Sequence, residues 1–196
     1  MNTTVKPFKP VINGTKIIFL ARLSYCHLDA PWSKTDDIEK KYCVSAIVSK
    51  EDKETVAALK KAVENAIEEG IKKVWQGKRP NTKASNFKHP LKDGDNERPE
   101  DEVYANSIFI SCNSKTPVAT LNRSKEKIDP KDVYSGCYGL VSLNFFPFAT
   151  GSNGIGAGLN AVLKYADGEK LGGDNDGSKD FDNIEGLAEI DDLQDM

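Results

Sequence analysis

The spacing of hydrophobic positions along this chain predicts a mainly β protein. Apolar and β-branched residues are concentrated in two early segments, 15–23 and 41–49, which predict strands separated by a loop at 25–37. A long stretch at 77–103, rich in Pro, Asn, Gly and charges, predicts a second loop. Three more strands are predicted after it, at residues 107–113, 117–121 and 138–148.

Between the second strand and the long loop, the apolar spacing changes to that of a helix. Ser49 and Asp52 mark its start, and Gly77 is a plausible stop after about six turns. One apolar stripe runs along it, made of Val56, Leu59, Val63, Ile67, Ile71, Val74 and Trp75. The pattern therefore predicts a single long helix inserted after the second strand.

The last predicted segments determine how many strands are expected. Residues 151–158 (GSNGIGAG) predict a flexible turn, and residues 159–165 fit either a closing strand or a short helix. Five or six antiparallel strands with one inserted helix fit a small barrel capped by that helix.

Charge divides the chain into a basic body and an acidic tail. Residues 167–196 carry eleven Asp or Glu against two Lys, whereas the whole chain has a net charge of −3. We therefore expect one folded domain over residues 1–166, with a net charge near +6, followed by a flexible acidic tail over 167–196. A basic body with such a tail indicates a protein that binds a polyanion and regulates its own access to it.

Several classes of protein are disfavoured by the residues. No apolar run approaches a membrane span and residues 1–7 lack a secretory signal, so we expect a cytoplasmic protein. Four separated cysteines with no paired ligands predict reduced thiols, not a zinc site. Cys26 and His27 are adjacent on an expected strand, which argues against a catalytic pair. We expect no enzyme activity, cofactor or metal.

A basic loop offers the first candidate chemistry for a polyanion. Residues 70–92 hold seven cations and no acid, and Lys78, Arg79, Lys83 and Lys88 are the candidate phosphate contacts. Trp75 and Phe87 are interleaved with them and offer faces for unstacked bases. Trp75 also continues the helical stripe, which favours a place in the core. The alternative for the cations is a solvated surface.

The strand at 138–148 alternates between two kinds of face. Val141, Leu143 and Phe145 share a face that predicts core. The opposite face mixes aromatic and polar residues, as a base-stacking platform requires, and comprises Tyr138, Ser142, Asn144, Phe146 and Phe148. The alternative is that a second apolar cluster, such as the long helix, covers this face.

Two further groups are weaker candidates for contact with a polyanion. Arg22, Tyr25 and Trp32 surround the exit of the first strand, although an aromatic in a Pro-containing turn is often only a lid on the core. Lys115 and Arg123 flank the short fourth strand and would reach a phosphate or remain solvated.

Several segments resemble a family of bacteriophage single-stranded DNA-binding proteins. The similarity is carried by ARLSYCHLDAPW (21–32), KYCVSAIVSKEDKETVAALKKAVENAIEEG (41–70), PLKDGD (90–95), VYSGCYGLVSLNFFPF (133–148), GIGAGLNAVLKYADGEKLGG (154–173) and DFDNIEG (180–186). The resemblance implies an oligonucleotide-binding (OB) barrel with an inserted helix and sequence-independent binding of single-stranded DNA. It also implies a role in phage replication, recombination or repair, in the host cytoplasm.

A more distant resemblance concerns the acidic tail. The chain is similar to the replication single-stranded DNA-binding proteins of podoviruses, whose acidic tails contact polymerase and helicase-primase partners and typically end in an aromatic residue. This chain ends in Leu193-Gln194-Asp195-Met196. The candidate partner-binding residues are therefore Phe181, Ile190, Asp191, Asp192, Leu193 and Asp195, with Met196 as a further apolar contact.

Two other functions stay open from the residues alone. One is a non-enzymatic phage structural or assembly protein with a β-barrel, in which the acidic tail serves solubility. The other is an RNA-binding regulator, although no feature of the sequence is dedicated to reading a 2′-hydroxyl. The oligomeric state is also open, with a homodimer as one possibility.

Overall fold

A computed structural model of the chain describes residues 5–172. Two α-helices occur, α1 (Lys53–Lys73) and α2 (Gly94–Glu97), with 3-10 turns at Glu102–Tyr104 and Pro130–Asp132. The strands are β1 (Val11–Asn13), β2 (Lys16–Trp32), β3 (Lys41–Ser49), β4 (Lys92–Asp93), β5 (Ser107–Ser114), β6 (Ala119–Leu121), β7 (Tyr138–Phe148) and β8 (Gly154–Ala166).

Five of these strands form a closed barrel. Antiparallel pairing gives the order β5, β3, β2, β7, β8, and β8 returns to β5 through a parallel contact between Asn113 and Gly158. The remaining strands extend its margins, with β1 on β2, β4 on β5 and β6 parallel to β8. The expected OB-type barrel with one long inserted helix is confirmed, although its closing contact is parallel.

Alternate side chains along the strands point inward and fill the barrel. Phe19 and Leu23 of β2 and Val141, Leu143 and Phe145 of β7 are at most 1% exposed, as alternate residues facing one side of a strand should be. The predicted core face of β7 is therefore confirmed. Each such side chain contributes about 1.5–3 kcal/mol when fully buried.

Helix α1 lies against the barrel end where β1, β2 and β7 meet. Leu59, Val63 and Ile67 are buried on its inner face, as the stripe predicts. The helix begins three residues later than the Ser49 signal, because the Asp52 side chain is the cap that accepts from the Thr55 N–H. Trp75 follows the helix and is 7% exposed, which confirms its predicted place in the core.

The predicted loop at 25–37 is wrong over its first part. Strand β2 continues to Trp32, with irregular pairing to β3 between Ser24 and His27. Tyr25 has a φ of 48°, in the left-handed region. A bulge of this kind adds a residue and bends the strand without ending it, so turn-forming residues here do not mark a loop.

The predicted flexible turn at 151–158 is also partly wrong. Strand β8 begins at Gly154, and its first residues pair with Phe148 and Phe146 of β7. The turn is confined to residues 149–153, and residues 159–165 belong to a strand, not a helix. The sequence pattern did not predict β1, β4 or α2, which are short.

The first six residues of the predicted tail pack against the barrel; we call residues 167–172 the strap. The Asp167 carboxylate accepts from the Tyr134 hydroxyl at 3.0 Å and pairs with Lys164 at 2.8 Å. Both interactions hold the pKa of Asp167 below its usual value, Lys164 being the larger cause. The Leu171 N–H donates to the Ser135 carbonyl at 2.8 Å. The domain boundary at residue 166 stays a prediction, and residues 173–196, with all the candidate partner-binding residues, lie outside the described part.

Two smaller findings complete the fold. Within residues 5–172, the helices are too short or too polar to cross a membrane. Cys112 and Cys137 are buried, and Cys26 and Cys43 are half-buried. Burial raises the pKa of the Cys26 thiol to about 12, so this side chain is neutral at physiological pH.

Candidate nucleic-acid interface

The outward side of β2, β3 and β5 forms the first candidate surface, which we call the β2 face. Arg22 lies opposite Ile47, which in turn lies opposite Phe109. The next row toward the end of β2 consists of Ser24, Ser45 and Ser111. Ser24 and Ser45 are buried, because the side chain of Tyr104 lies next to them on this side of the sheet.

Arg98 is the central side chain of the β2 face, and the sequence analysis did not select it. Its guanidinium carbon lies 4.8 Å from the Tyr25 ring centroid, 4.5 Å from that of Tyr104 and 5.3 Å from that of Phe109. Its Nη1 donates to the Tyr25 hydroxyl at 2.9 Å. Cation–π contacts of this kind fix the ring of Tyr25, which is 48% exposed.

A second exposed ring lies further along β2. Trp32 is 46% exposed and stacks on His27, with ring centroids 4.7 Å apart and planes 6° from parallel. Burial lowers the pKa of His27, so the imidazole is neutral near pH 7. One face of the indole is thus supported by His27. Lys115 lies near this end, where it pairs with Glu39 at 3.1 Å.

The outward side of β7 and β8 forms a separate surface, which we call the glycine ladder. Asn144, Phe146 and Phe148 lie opposite Gly158, Gly156 and Gly154 in the register of the two strands. The Phe146 ring lies so close to the Cα of Gly156 that a Cβ there would overlap it. The G-x-G-x-G series therefore provides flat backbone beneath these side chains. Phe146 is 44% exposed.

Tyr138 connects the two surfaces. It lies directly opposite Arg22 across the β2–β7 pairing, on the outward side of β7. Phe146 is eight residues further along the same strand, or about 26 Å at ~3.3 Å per residue. The predicted polar-aromatic face of β7 therefore exists, but its two ends are too far apart for a single base to contact both.

The basic loop differs from its expected arrangement in part. Arg79 forms ion pairs with Glu64 at 2.7 Å and Glu68 at 3.0 Å, both on α1. Hydrogen bonding to Arg79 holds the pKa of Glu64 below its usual value. The carboxylates that pair with Arg79 lie on α1, before the loop in sequence. The absence of acidic residues within 70–92 therefore did not indicate the charge around Arg79.

The aromatic residues of this loop are not exposed. Phe87 is 8% exposed and packs edge-on against Trp75, with centroids 6.2 Å apart. Neither ring presents a face for stacking a base. Lys88 is bound through its backbone to Asn153 and Ile155, which places it beside the glycine ladder. Lys78 and Lys83 are exposed in the same loop.

Arg123 lies at a third location. Its guanidinium carbon is 5.3 Å from the Tyr165 ring centroid, next to Val5 and Lys6. The structure therefore groups Arg22, Tyr25, Trp32 and Tyr138 on or next to the β2 face, with Lys115 at its margin. Asn144, Phe146, Phe148 and Lys88 belong to the glycine ladder. Among residues 5–172, no three His, Cys, Asp or Glu side chains lie close enough together to hold a metal ion.

Comparisons with known proteins agree with this architecture. A family model described as Enterobacter phage Enc34, ssDNA-binding protein, matches residues 12–194. The solved structure of the single-stranded DNA-binding protein from bacteriophage Enc34 in complex with ssDNA is 27% identical, with a TM-score of 0.68, and the match covers 87% of this chain and 99% of that one.

Two other matches extend the comparison. Protein p50 of Acyrthosiphon pisum secondary endosymbiont phage 1 is 24% identical over 182 residues, which are 88% of this chain and 94% of p50. Gp2.5, a single-stranded DNA-binding protein encoded by bacteriophage T7, shares the fold, with a TM-score of 0.55 at 14% identity over 87% of this chain and 97% of that one.

Proposed function

Because this chain belongs to the Enterobacter phage Enc34 ssDNA-binding protein family, we propose that it binds single-stranded DNA without strong sequence preference. The DNA lies along the β2 face. Arg22 and Arg98 hold phosphates, and Tyr25 and Trp32 stack on bases. The protein acts as a binding protein and catalyses no reaction.

One observation favours the β2 face over the other surfaces. It combines two half-exposed rings, Tyr25 and Trp32, with two arginines that form no ion pair with a carboxylate of residues 5–172. Arginines without such partners are available to phosphate oxygens, and binding them releases counterions from the DNA. Stacking on an aromatic ring tolerates any base, since every base has a π-face.

The first test is a fluorescence titration with oligo-dT and with a duplex of equal length across a salt series. We expect Trp32 quenching by the single strand, tighter binding of the single strand than of the duplex, and weaker binding as salt rises. The log–log slope should be about −0.7 per phosphate engaged. A Trp32→Phe variant, which keeps the buried Trp75, should lose the quenching.

The outcomes separate the candidate functions. No response to oligo-dT at low salt would refute DNA binding and favour an assembly role. Equal or tighter binding of a matched RNA oligomer would favour an RNA-binding regulator instead.

We also propose that the acidic tail competes with DNA for the basic surface. The tail carries eleven of the chain's 30 acidic residues against only two lysines, and the strap starts it beside the β2 face. There Arg22 Nη2 donates to the Glu169 carbonyl at 3.2 Å. DNA would then displace the tail and release it to bind replication or recombination proteins, in keeping with roles in replication, recombination and repair.

Removing residues 174–196 should therefore tighten DNA binding at low salt, because the competing polyanion is lost while the strap remains. The difference from the full chain should shrink as salt approaches 1 M, where the Debye length is only about 3 Å. The measurement is the dissociation constant of both proteins over a salt series. A matched full-length control replaces Asp191, Asp192 and Asp195 with Asn, and should shift in the same direction. Unchanged affinity of the truncated protein at low salt would contradict the competition.

We also propose that the chain forms a homodimer and that its tail recruits partner proteins. Sedimentation of the full chain and of the truncated chain would test whether either associates. Partner recruitment through the tail predicts that the truncated chain loses binding to phage replication proteins while it retains DNA.

A further inference from the structure

A cavity opens beside Tyr25 on the β2 face. Its volume is about 430 Å³, within the range of ~300–1,000 Å³ typical of small-molecule sites. Tyr25 and His27 line it from β2, Asp101 and Tyr104 from the 3-10 turn and its cap, and Leu171 from the strap. Ser24, one of the short residues of the serine row, also lines it.

Tyr104 gives the cavity a rigid, uncharged wall. It is 1% exposed, and its ring is held between the guanidinium of Arg98 and the edge of Phe109. Its hydroxyl is buried beside Ser24 and Ser45. Burial raises the pKa of Tyr104, and hydrogen bonding to these serines opposes that shift, so the group is neutral at physiological pH.

The Asp101 carboxylate lies in the cavity wall and determines which part of a nucleotide can bind there. One of its carboxylate oxygens, Oδ1, accepts from the Val103 N–H at 3.1 Å. The carboxylate repels a phosphate group, whereas it accepts hydrogen bonds from an amino group, as acidic side chains do with the N4 amino group of cytosine. Arg98 and Arg22, the proposed phosphate contacts, are not among the residues that line the cavity.

We propose that this cavity receives one unstacked nucleobase and favours a base with an exocyclic amino group over thymine. The base packs between Tyr25 and Leu171, and its amino group donates to Asp101. Thymine presents the O4 oxygen where cytosine presents the amino group, and that oxygen is repelled by the carboxylate. The inference rests on the proposed function, since it assigns a preference within DNA binding.

The test compares oligo-dC with oligo-dT of equal length, in the full-length protein and in Asp101→Asn. Asparagine has the same shape and can still cap the 3-10 turn, but it lacks the negative charge. We expect the native chain to bind oligo-dC roughly 3- to 10-fold more tightly than oligo-dT, as one net hydrogen bond supplies. In Asp101→Asn the ratio should fall toward one, mainly through weaker binding of oligo-dC.

The results separate this inference from the proposed function. Binding of both oligomers with the same dC-to-dT ratio in the native chain and in Asp101→Asn would overturn the base pocket and leave DNA binding intact. Failure of the native chain to bind any oligomer at low salt would instead refute the proposed function itself.

Discussion

Tyr25→Ala is expected to weaken binding of single-stranded DNA by about 1–3 kcal/mol, the usual value of one stacked base, which raises Kd about 5- to 150-fold. The ring is half-exposed and already fixed by Arg98, so little conformational entropy is lost when a base stacks on it. Titration of the native chain and the variant with oligo-dT at one salt concentration measures the change.

The backbone at Tyr25 supports this choice of residue. Its φ of 48° is unfavourable for a side chain with a Cβ, and such strain of about 1–3 kcal/mol is typically retained at functional positions. Alanine keeps this backbone strain, so the variant changes the ring and not the φ preference.

Two matched variants make the Tyr25 result specific. Tyr25→Phe keeps the stacking ring and loses only the hydrogen bond from Arg98, so its Kd should stay close to that of the native chain. Phe146→Ala removes an equally exposed ring from the glycine ladder. Should Phe146→Ala lose affinity while Tyr25→Ala remains within about twofold of the native chain, the DNA path would lie on β7 and β8 instead.

Trp75→Ala is expected to destabilise the fold by about 3–5 kcal/mol, as loss of a large buried aromatic residue usually does. For a domain of this size, that corresponds to a fall in Tm of about 6–20 °C. The indole packs on Gly70 of α1 and on Phe87, and its Nε1 donates to the Phe148 carbonyl at 3.3 Å. It therefore joins the helix, the basic loop and the end of β7.

The other tryptophan is the natural control. Trp32→Ala removes the same side chain from an exposed position, where it contacts His27, and should cost less than about 1 kcal/mol. Thermal unfolding of both variants, followed by circular dichroism, measures the difference. Equal losses of stability would contradict the division of the two tryptophans into a buried and a surface residue.

The elements that the sequence predicted well have a burial pattern that is visible in the local sequence. Strands β3 and β7 have the predicted bounds to within a residue, and the stripe of α1 faces the core. Burial alternates along β7 and follows the helical period in α1, whereas β3 is a continuous buried run, so in each case local pattern and tertiary environment agree. The strand and helix pattern predicted a small barrel capped by the helix, whereas the OB type came from the family resemblance, because strand closure is not encoded in any one segment.

Glycines and turn formers were misread because their role here depends on neighbours. Gly156 permits the close approach of Phe146 from the next strand, which no local propensity can indicate. Tyr25 lies in a bulge, and a bulge has the composition of a turn. Both errors shortened strands that carry the candidate surfaces.

Only part of the candidate site was predicted, because the role of a charged residue also depends on its neighbours in the fold. Arg98 follows and precedes acidic residues in sequence, and no pattern singled it out, yet the fold places it among three aromatic rings. Arg79 lies in a basic loop, yet α1 supplies its carboxylate partners. Whether a basic side chain is available to bind phosphate depends on the groups next to it in the folded structure. The linear pattern of charges does not contain that information.

The strap determines where the C-terminal segment begins. Its hydrogen bonds to Tyr134 and Ser135 fix Leu171 and Gly172 in the wall of the cavity beside Tyr25. A group tethered by a short flexible linker has an effective concentration in the millimolar range, set by the linker and not by the amount of protein in solution. A group joined to Gly172 by a short flexible linker would therefore be presented to the proposed DNA-binding surface at that concentration, even in a nanomolar sample.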